Sequence, residues 1–291
     1  MRPNKHKINT YFFEKIDTPE KAYVFGFFCA DGYNSGRSNF EFYQLEENKD
    51  ILEKVKLALE TDYTLRYKIQ KTNMKVLWRL SINCKKMCED LTNLGAVKNK
   101  SLCLKFPHFI TKSLLPHFIR GYFDGDGCIW NGKRYKALVN DKTCREGKRT
   151  RIIHNVKVTF TGNTDFIKSL QDVLVQELQL SYTKLNFSKS KNRKHICTLE
   201  YSGRRNILKF YNYMYNNATI FSDRKCNKFK EIICALDKKL LSEMGLIAGK
   251  PEMVISSEAL IGSNGSIIER SSTIPEMEVE SSDSKCPTLN K

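Results

Sequence analysis

A nine-residue pattern occurs twice in this chain and constrains its fold more than any other feature. The first copy, Val24–Gly32, reads VFGFFCADG, and the second copy, Ile119–Gly127, reads IRGYFDGDG. A helix with so little polar surface must be buried between other elements. The sequence therefore predicts two buried helices that each end on a carboxylate, Asp31 in the first copy and Asp126 in the second.

A glycine stands at the third position of each copy, Gly26 and Gly121. Because glycine has no Cβ, two helices that meet at such positions can bring their backbones close together. Their C-terminal ends would then lie side by side, and the partial negative charge of those ends favours a cation. A purely architectural crossing is the alternative, but a buried helix pair gains nothing by gathering two like charges. The pattern predicts a helix interface at Gly26 and Gly121 and a metal site at Asp31 and Asp126.

The two segments resemble the paired motifs of LAGLIDADG homing endonucleases, in the single-chain form that carries both motifs in one polypeptide. The glycine and the last aspartate of the family fall on Gly26 and Asp31 in the first copy. They fall on Gly121 and Asp126 in the second copy.

Two positions depart from the family pattern. Cys29 stands where the second copy keeps the earlier aspartate of the family as Asp124, and Arg120 replaces the alanine of the family in the second copy. Neither departure touches the last aspartate, which the family uses to bind metal.

The resemblance implies an α+β fold of two pseudo-symmetric αββαββα halves, joined at the packed motif helices and carrying saddle-like antiparallel sheets for DNA. Residue patterning agrees with this order. Alternation over Asn39–Leu45 predicts a strand and Asn48 the cap of a helix, and Val156–Thr161 and Asn163 repeat the arrangement. The predicted boundaries are an arm at 1–10, halves at 11–110 and 111–241, and a disordered tail at 242–291.

The charge distribution indicates a nucleic-acid partner. The chain has 49 Lys and Arg against 32 Asp and Glu, a net charge of +17. Seven acidic and four basic residues lie between Lys250 and Lys291, so the positive excess precedes the tail. Such a body is attracted to polyphosphate, and its binding weakens with salt. No apolar run is long enough to span a membrane, and no apolar segment follows the basic N-terminus. We therefore expect an intracellular protein that acts on host DNA, in the cytoplasm, the nucleoid or an organelle.

Basic residues cluster where strands or turns could contact DNA. A β-ribbon fits the major groove, and alternation directs every second side chain towards the bases. A long basic loop is predicted from Asn131 to Arg151, with a solvated charged loop as the alternative. The candidate DNA-binding residues are Arg66, Lys68, Gln70, Lys133, Arg134, Lys136, Arg145, Lys148, Arg149, Arg151, Lys189, Lys191, Arg193 and Lys194.

The resemblance further implies basic and polar side chains beside the two carboxylates. Lys100 and Lys225 lie where the family keeps a basic residue near its active site, with Lys98 and Arg224 as alternative candidates. Gln44 resembles a family position whose polar side chain contacts the active-site solvent.

The activity implied by the resemblance is a site-specific double-strand cut in DNA. Mg²⁺ would be held by Asp31 and Asp126 together with the backbone carbonyls of Ala30 and Gly125, since this ion prefers oxygen ligands. A long, near-palindromic duplex and a monomeric protein are expected. An intron RNA maturase and a binding-only regulator on the same fold stay open as alternatives, although no appended helix-turn-helix pattern supports the regulator.

Overall fold

The computed structural model describes residues 6–70, 72, 74–137, 150–188, 190 and 193–234. These residues form two four-stranded antiparallel sheets with helices packed on them. The predicted α+β fold is therefore confirmed. The tail predicted at 242–291 and the candidates Arg145, Lys148, Arg149, Lys189 and Lys191 lie outside the described residues.

Both halves contain the αββαββα order, followed by one additional helix. The first half consists of α1 (Pro19–Asp31), β1 (Gly32–Asn34), β2 (Asn39–Leu45), α2 (Lys49–Ala58), β3 (Arg66–Ile69), β4 (Val76–Asn83), α3 (Lys85–Asn93) and the short α4 (Lys100–Cys103). The second half consists of α5 (Leu115–Asp126), β5 (Gly127–Ala137), β6 (Thr150–Asn163), α6 (Thr164–Leu178), β7 (Asn186–Phe187), β8 (Ile196–Ser202), α7 (Arg204–Tyr215) and α8 (Asp223–Cys234).

The two sheets share one strand order and one register. The orders are β1-β2-β4-β3 and β5-β6-β8-β7. Gly32 pairs with Phe42 in the first sheet and Gly127 pairs with Phe160 in the second. Phe42 and Phe160 are therefore equivalent positions. Gln44 is two residues further along its strand, so its counterpart in the second half is Gly162.

The motif helices α1 and α5 lie between the two sheets and form the core. Helix α1 begins at a Thr18 cap, whose side chain accepts a hydrogen bond from the backbone N–H of Lys21, and it is buried from Ala22 to Asp31. The inner faces of the sheets pack against the helices through aromatic pairs. Ring centroids lie 5.9 Å apart for Phe27 and Phe42. Buried motif helices are what their apolar sequences require.

The predicted basic loop at 131–151 is wrong in extent. Residues 131–137 continue β5, residues 150 and 151 begin β6, and Ala137 pairs with Thr150. Charged residues obscured this ribbon in the sequence, because strand pairing satisfies backbone groups whatever the side chains are. In the part of the chain that the structure describes, no helix combines the length and apolarity that a bilayer span needs.

Candidate active site

The two motif helices cross in backbone contact at their glycines. A Cβ built on Gly26 would lie 2.1 Å from the carbonyl oxygen of Phe118, and one built on Gly121 would lie 2.1 Å from that of Tyr23. The contact is reciprocal, because Tyr23 and Phe118 are equivalent positions of the two copies. Neither helix has space for a methyl group here, so the crossing requires glycine on both sides.

This crossing brings the C-terminal ends of α1 and α5 together. A Cβ built on Gly125 would lie 2.3 Å from the Cβ of Ala30 and 3.3 Å from Oδ2 of Asp31. The Asp31 carboxylate therefore lies against the end of α5, one residue before Asp126. Asp31 is buried, whereas Asp126 is exposed. Two carboxylates from the two halves thus share one end of the helix pair.

A buried lysine binds the C-terminal carbonyls of each motif helix. Nζ of Lys100 donates to the carbonyls of Ala30 (3.2 Å) and Gly32 (2.6 Å) at the end of α1. Only 7% of Lys100 is exposed. The last carbonyls of a helix have no partner within it and carry partial negative charge, so they stabilise a buried ammonium group.

Lys225 occupies the equivalent place at the end of α5. Its Nζ donates to the carbonyls of Phe123 (2.6 Å), Asp124 (2.9 Å), Gly125 (3.5 Å) and Gly127 (2.7 Å). Burial lowers the pKa of Lys225, and the nearby Asp124 opposes that shift.

The alternative basic candidates are less buried than these two lysines. Lys98 and Arg224 are exposed, in contrast to the buried Lys100 and Lys225. The structure therefore brings Lys100 and Lys225 to the helix ends and does not bring Lys98 there.

A chain of three hydrogen bonds connects the Asp31 carboxylate to Arg224, which belongs to the other half of the molecule. Nε2 of Gln44 donates to Oδ2 of Asp31 (2.5 Å), and Nδ2 of Asn48 donates to Oε1 of Gln44 (3.2 Å). Nε of Arg224 then donates to Oδ1 of Asn48 (2.8 Å). Arg224 thus acts on Asp31 through two intervening side chains.

Asn48 was expected to cap α2 with its side chain, and this expectation is wrong. It stands at the cap position, but its side chain makes no capping hydrogen bond. The oxygen that would cap α2 accepts from Arg224, which lies 176 residues away in the sequence. Asn163, predicted by the same rule, does cap its helix by accepting from the N–H of Phe166.

The Asp126 side of the site has different polar groups. A Cβ built on Gly162 would lie 2.4 Å from the hydroxyl oxygen of Tyr122, which donates to the carbonyl of Thr161 at 2.8 Å. Burial, followed by the charge of Asp126, raises the pKa of Tyr122 well above its ordinary value. A tyrosine from the motif helix therefore occupies the space that an amide side chain would need here.

The donor set at the helix ends fits a hard divalent cation. Two carboxylates and several carbonyl oxygens meet there, and Mg²⁺ is commonly held by one or two carboxylates together with waters and substrate phosphates. The carbonyls of Ala30 and Gly125 accept from lysines, and each retains a second lone pair. Within the described residues, no group of three or more His, Cys, Asp or Glu side chains could hold a metal ion.

The first sheet presents two of the three candidate DNA-binding residues on its open face. Arg66 and Lys68 lie exposed on the edge strand β3, opposite Arg79 and Leu77 of β4. Tyr43 of β2 also pairs with Arg79, and Nζ of Lys68 lies 5.8 Å from its ring centroid. Arg79 was missed by sequence reasoning, although alternation along β4 would have identified it. The third candidate, at position 70, lies beyond the end of β3 and is half-buried.

The second sheet carries its candidates on the long β5–β6 ribbon. Lys133, Arg134 and Lys136 lie on β5, and Arg151 lies opposite Lys136 on β6. The remaining described candidates, Arg193 and Lys194, precede β8.

A further basic residue of the second sheet, Lys157, was not predicted. Its Nζ lies 2.9 Å from a carboxylate oxygen of Glu200 and 5.6 Å from the ring centroid of Trp130. Its alternation with the apolar neighbours Val156 and Val158 was the available signal.

Comparison with solved structures finds LAGLIDADG endonucleases of low sequence identity. The LAGLIDADG meganuclease I-AabMI bound to uncleaved DNA is 13% identical, with 78% of this chain and 92% of that chain covered and a TM-score of 0.47. The I-LtrWI LAGLIDADG homing endonuclease bound to target DNA is 14% identical over 82% and 97% of the two chains, with a TM-score of 0.48. I-SmaMI, bound to an uncleaved DNA target in the presence of calcium ions, is 11% identical over 79% and 93%, with a TM-score of 0.44. Neither a protein-family model nor a curated protein matches the sequence.

Proposed function

We propose that this protein is a nuclease that hydrolyses phosphodiester bonds of double-stranded DNA, and within that class a two-motif LAGLIDADG homing endonuclease. The observation that carries the proposal is the pair of motif helices that cross at Gly26 and Gly121 and end in a shared cluster of oxygen donors. A helix pair with a structural role alone would gain nothing from carboxylates gathered at one end.

Each group at the helix ends has a distinct task in this proposal. Asp31 and Asp126, with the carbonyls of Ala30 and Gly125, would hold Mg²⁺. When bound, the ion would neutralise the negative charge that develops on the phosphate. Gln44 holds the Asp31 carboxylate in one orientation through its hydrogen bond.

The lysines supply fixed positive charge beside the carboxylates. Lys100 and Lys225 are held by backbone carbonyls, so their ammonium groups need little reorganisation when charge develops on a phosphate nearby. Their equivalent placement at the two helix ends favours one cut in each strand.

The sheets would bind the DNA on either side of the cut. Arg66 and Lys68 face outwards on the first sheet, and the basic β5–β6 ribbon belongs to the second sheet. Two similar sheets in one chain match a long, near-palindromic duplex bound by a monomer.

The test is cleavage of a duplex that carries the uninterrupted insertion site of the gene. Wild type should cut both strands in Mg²⁺ and not in EDTA, at one fixed salt concentration. Asp31→Asn and Asp126→Asn should abolish the double-strand cut. Asp165→Asn, an exposed change of the same kind on α6, is the matched control. Tight binding of intron RNA or DNA without cutting by any version would instead favour the maturase or the regulator.

A further inference from the structure

The segment that leads to Lys225 is attached to the second motif helix by two buried polar residues. Residues 216–222, here called the Lys225 connection, join α7 to α8. Nε of Arg120 donates to the carbonyl of Ile220 (2.7 Å), and Oδ2 of Asp124 accepts from the backbone N–H of Ser222 (2.7 Å). Arg120 and Asp124 are four residues apart, so they lie on the same face of α5.

Other contacts fix these two side chains in place. Arg120 also donates from Nη1 to the carbonyl of Met214 (2.6 Å), and its Nη2 lies 2.9 Å from Nδ1 of His117. The hydroxyl of Tyr23, on the other motif helix, donates to the same Oδ2 of Asp124 at 2.8 Å. Arg120 is 0% exposed and Asp124 is 2% exposed. Breaking hydrogen bonds this deeply buried would leave their donors and acceptors without partners at a high cost, so these contacts hold the Lys225 connection in one position.

The first half attaches its own lysine segment by a different residue. Nδ2 of Asn34, on β1, donates to the carbonyl of Ala96, the carbonyl of Cys88 and Oγ1 of Thr92, each at 3.1 Å. The contact with Ala96 holds the segment 94–99, which leads directly to Lys100, and the other two contacts join Asn34 to α3.

The polar residues that attach each lysine segment have no polar equivalent of the same kind in the other half. Asn34 corresponds to the apolar Ile129 in the second half. Arg120 and Asp124 correspond to Phe25 and Cys29 in the first half. Each half therefore has one polar attachment for its lysine segment, on the strand in the first half and on the motif helix in the second.

We propose that Arg120 and Asp124 are positioning residues of the Asp126 side of the site, which hold Lys225 at the end of α5 through the Lys225 connection. Asn34 performs the same task for Lys100 at the end of α1. The catalytic consequence of this inference rests on the proposed nuclease function, whereas the positioning itself does not.

Lysine labelling of the full-length chain tests the positioning without any substrate. An N-hydroxysuccinimide ester labels accessible amines, and mass spectrometry gives the rate at each lysine. Asp124→Ala should raise the labelling rate of Lys225 about tenfold or more, as expected for loss of a buried hydrogen bond to a charged group, and leave Lys100 unchanged. Asn34→Ala should do the reverse. Asp124→Asn should label Lys225 more slowly than Asp124→Ala, because both hydrogen bonds end on Oδ2 and an amide oxygen can replace that atom.

Two results would overturn the positioning role. If each variant raised the labelling rates of Lys100 and Lys225 by the same factor, the substitutions would only loosen the whole fold. If neither rate changed, Asp124 and Asn34 would not hold the lysine segments in place. If Asp124→Ala does not fold, Arg120→Lys should raise the labelling rate of Lys225 instead. Lysine keeps the positive charge but lacks the planar guanidinium that donates to the carbonyls of Ile220 and Met214.

Strand-resolved cleavage then tests the catalytic consequence. The duplex with the uninterrupted insertion site carries a different fluorophore on each strand. Asp124→Ala should slow the same strand that Lys225→Met slows, and Asn34→Ala should slow the other strand. Equal slowing of both strands by Asp124→Ala would contradict the inference. If wild type cuts neither strand, the proposed function fails while the labelling result still decides the positioning.

Discussion

Replacement of Gly26 by alanine tests the helix crossing on which the whole site depends. The added methyl would lie 2.1 Å from the carbonyl oxygen of Phe118 and 2.9 Å from its carbonyl carbon. Both atoms are backbone, so no side-chain rotation can relieve the contact. The helices must part locally by about 1.3 Å to restore an ordinary contact distance. Overpacking of this kind costs roughly 1–3 kcal/mol, and the better helix propensity of alanine returns about 1 kcal/mol.

We therefore expect Gly26→Ala to lower the free energy of unfolding by about 1 kcal/mol, and by no more than about 2 kcal/mol, measured by urea denaturation. Cleavage should fall further than stability alone explains, on the order of a hundredfold, because a displacement near 1 Å misaligns the groups at the helix ends. Gly121→Ala should behave alike. The double variant should be destabilised by less than the sum of the two single variants, because a single separation of the helices relieves both contacts.

Gly203→Ala is the matched control for the loss of stability. Gly203 has a φ of +97° and no atom within 4 Å of its built Cβ, so alanine there is strained without any clash. A cost of about 1–2 kcal/mol with unchanged cleavage is expected. If the free energy of unfolding of Gly26→Ala lay within about 0.5 kcal/mol of the wild-type value and the variant cut DNA normally, the close crossing would be refuted.

Three further predictions concern the surroundings of the site. Burial, followed by the charge of Arg120, lowers the pKa of His117 below its usual 6.5, so the unfolded chain gains a proton that the folded chain lacks as pH falls below 6.5. The free energy of unfolding should then decrease by at most about 1.4 kcal/mol per pH unit, and His117→Gln should flatten this slope in urea titrations at pH 5–7. Asn48→Ala should slow cleavage while leaving the DNA affinity within about twofold, because it interrupts the hydrogen bonds from Arg224 to Asp31 without touching the sheet face; an unaltered cleavage rate would show that Asp31 needs no such support. Arg66→Ala with Lys68→Ala should weaken duplex binding and reduce the dependence of log K on log salt by about 2, whereas an unchanged slope would place DNA off this face.

The αββαββα order and the burial of the motif helices could be predicted because both depend on local patterns. The apolar run that ends at Asp31 has no surface to offer water, and the alternation Asn39–Leu45 matches β2 residue for residue. Long-range side-chain partners could not be predicted in this way. Asn48 has the sequence of a helix cap, but a guanidinium from the other half takes its oxygen. The β5–β6 ribbon was missed because its charged residues hide a pairing made by backbone groups.

The backbone and the polar side chains of the two halves are fixed by different contacts, which explains why the two sites differ. Symmetry of the backbone is imposed by the reciprocal glycine contact, which holds the two helix ends in equivalent positions. Symmetry of the polar groups is not imposed by anything comparable. Gln44 has space at the end of β2, whereas the hydroxyl of Tyr122 occupies the equivalent space beside Gly162. A glutamine at position 162 therefore requires loss of the tyrosine hydroxyl as well, so the two sides must change by coupled substitutions and differ in how they orient their carboxylates.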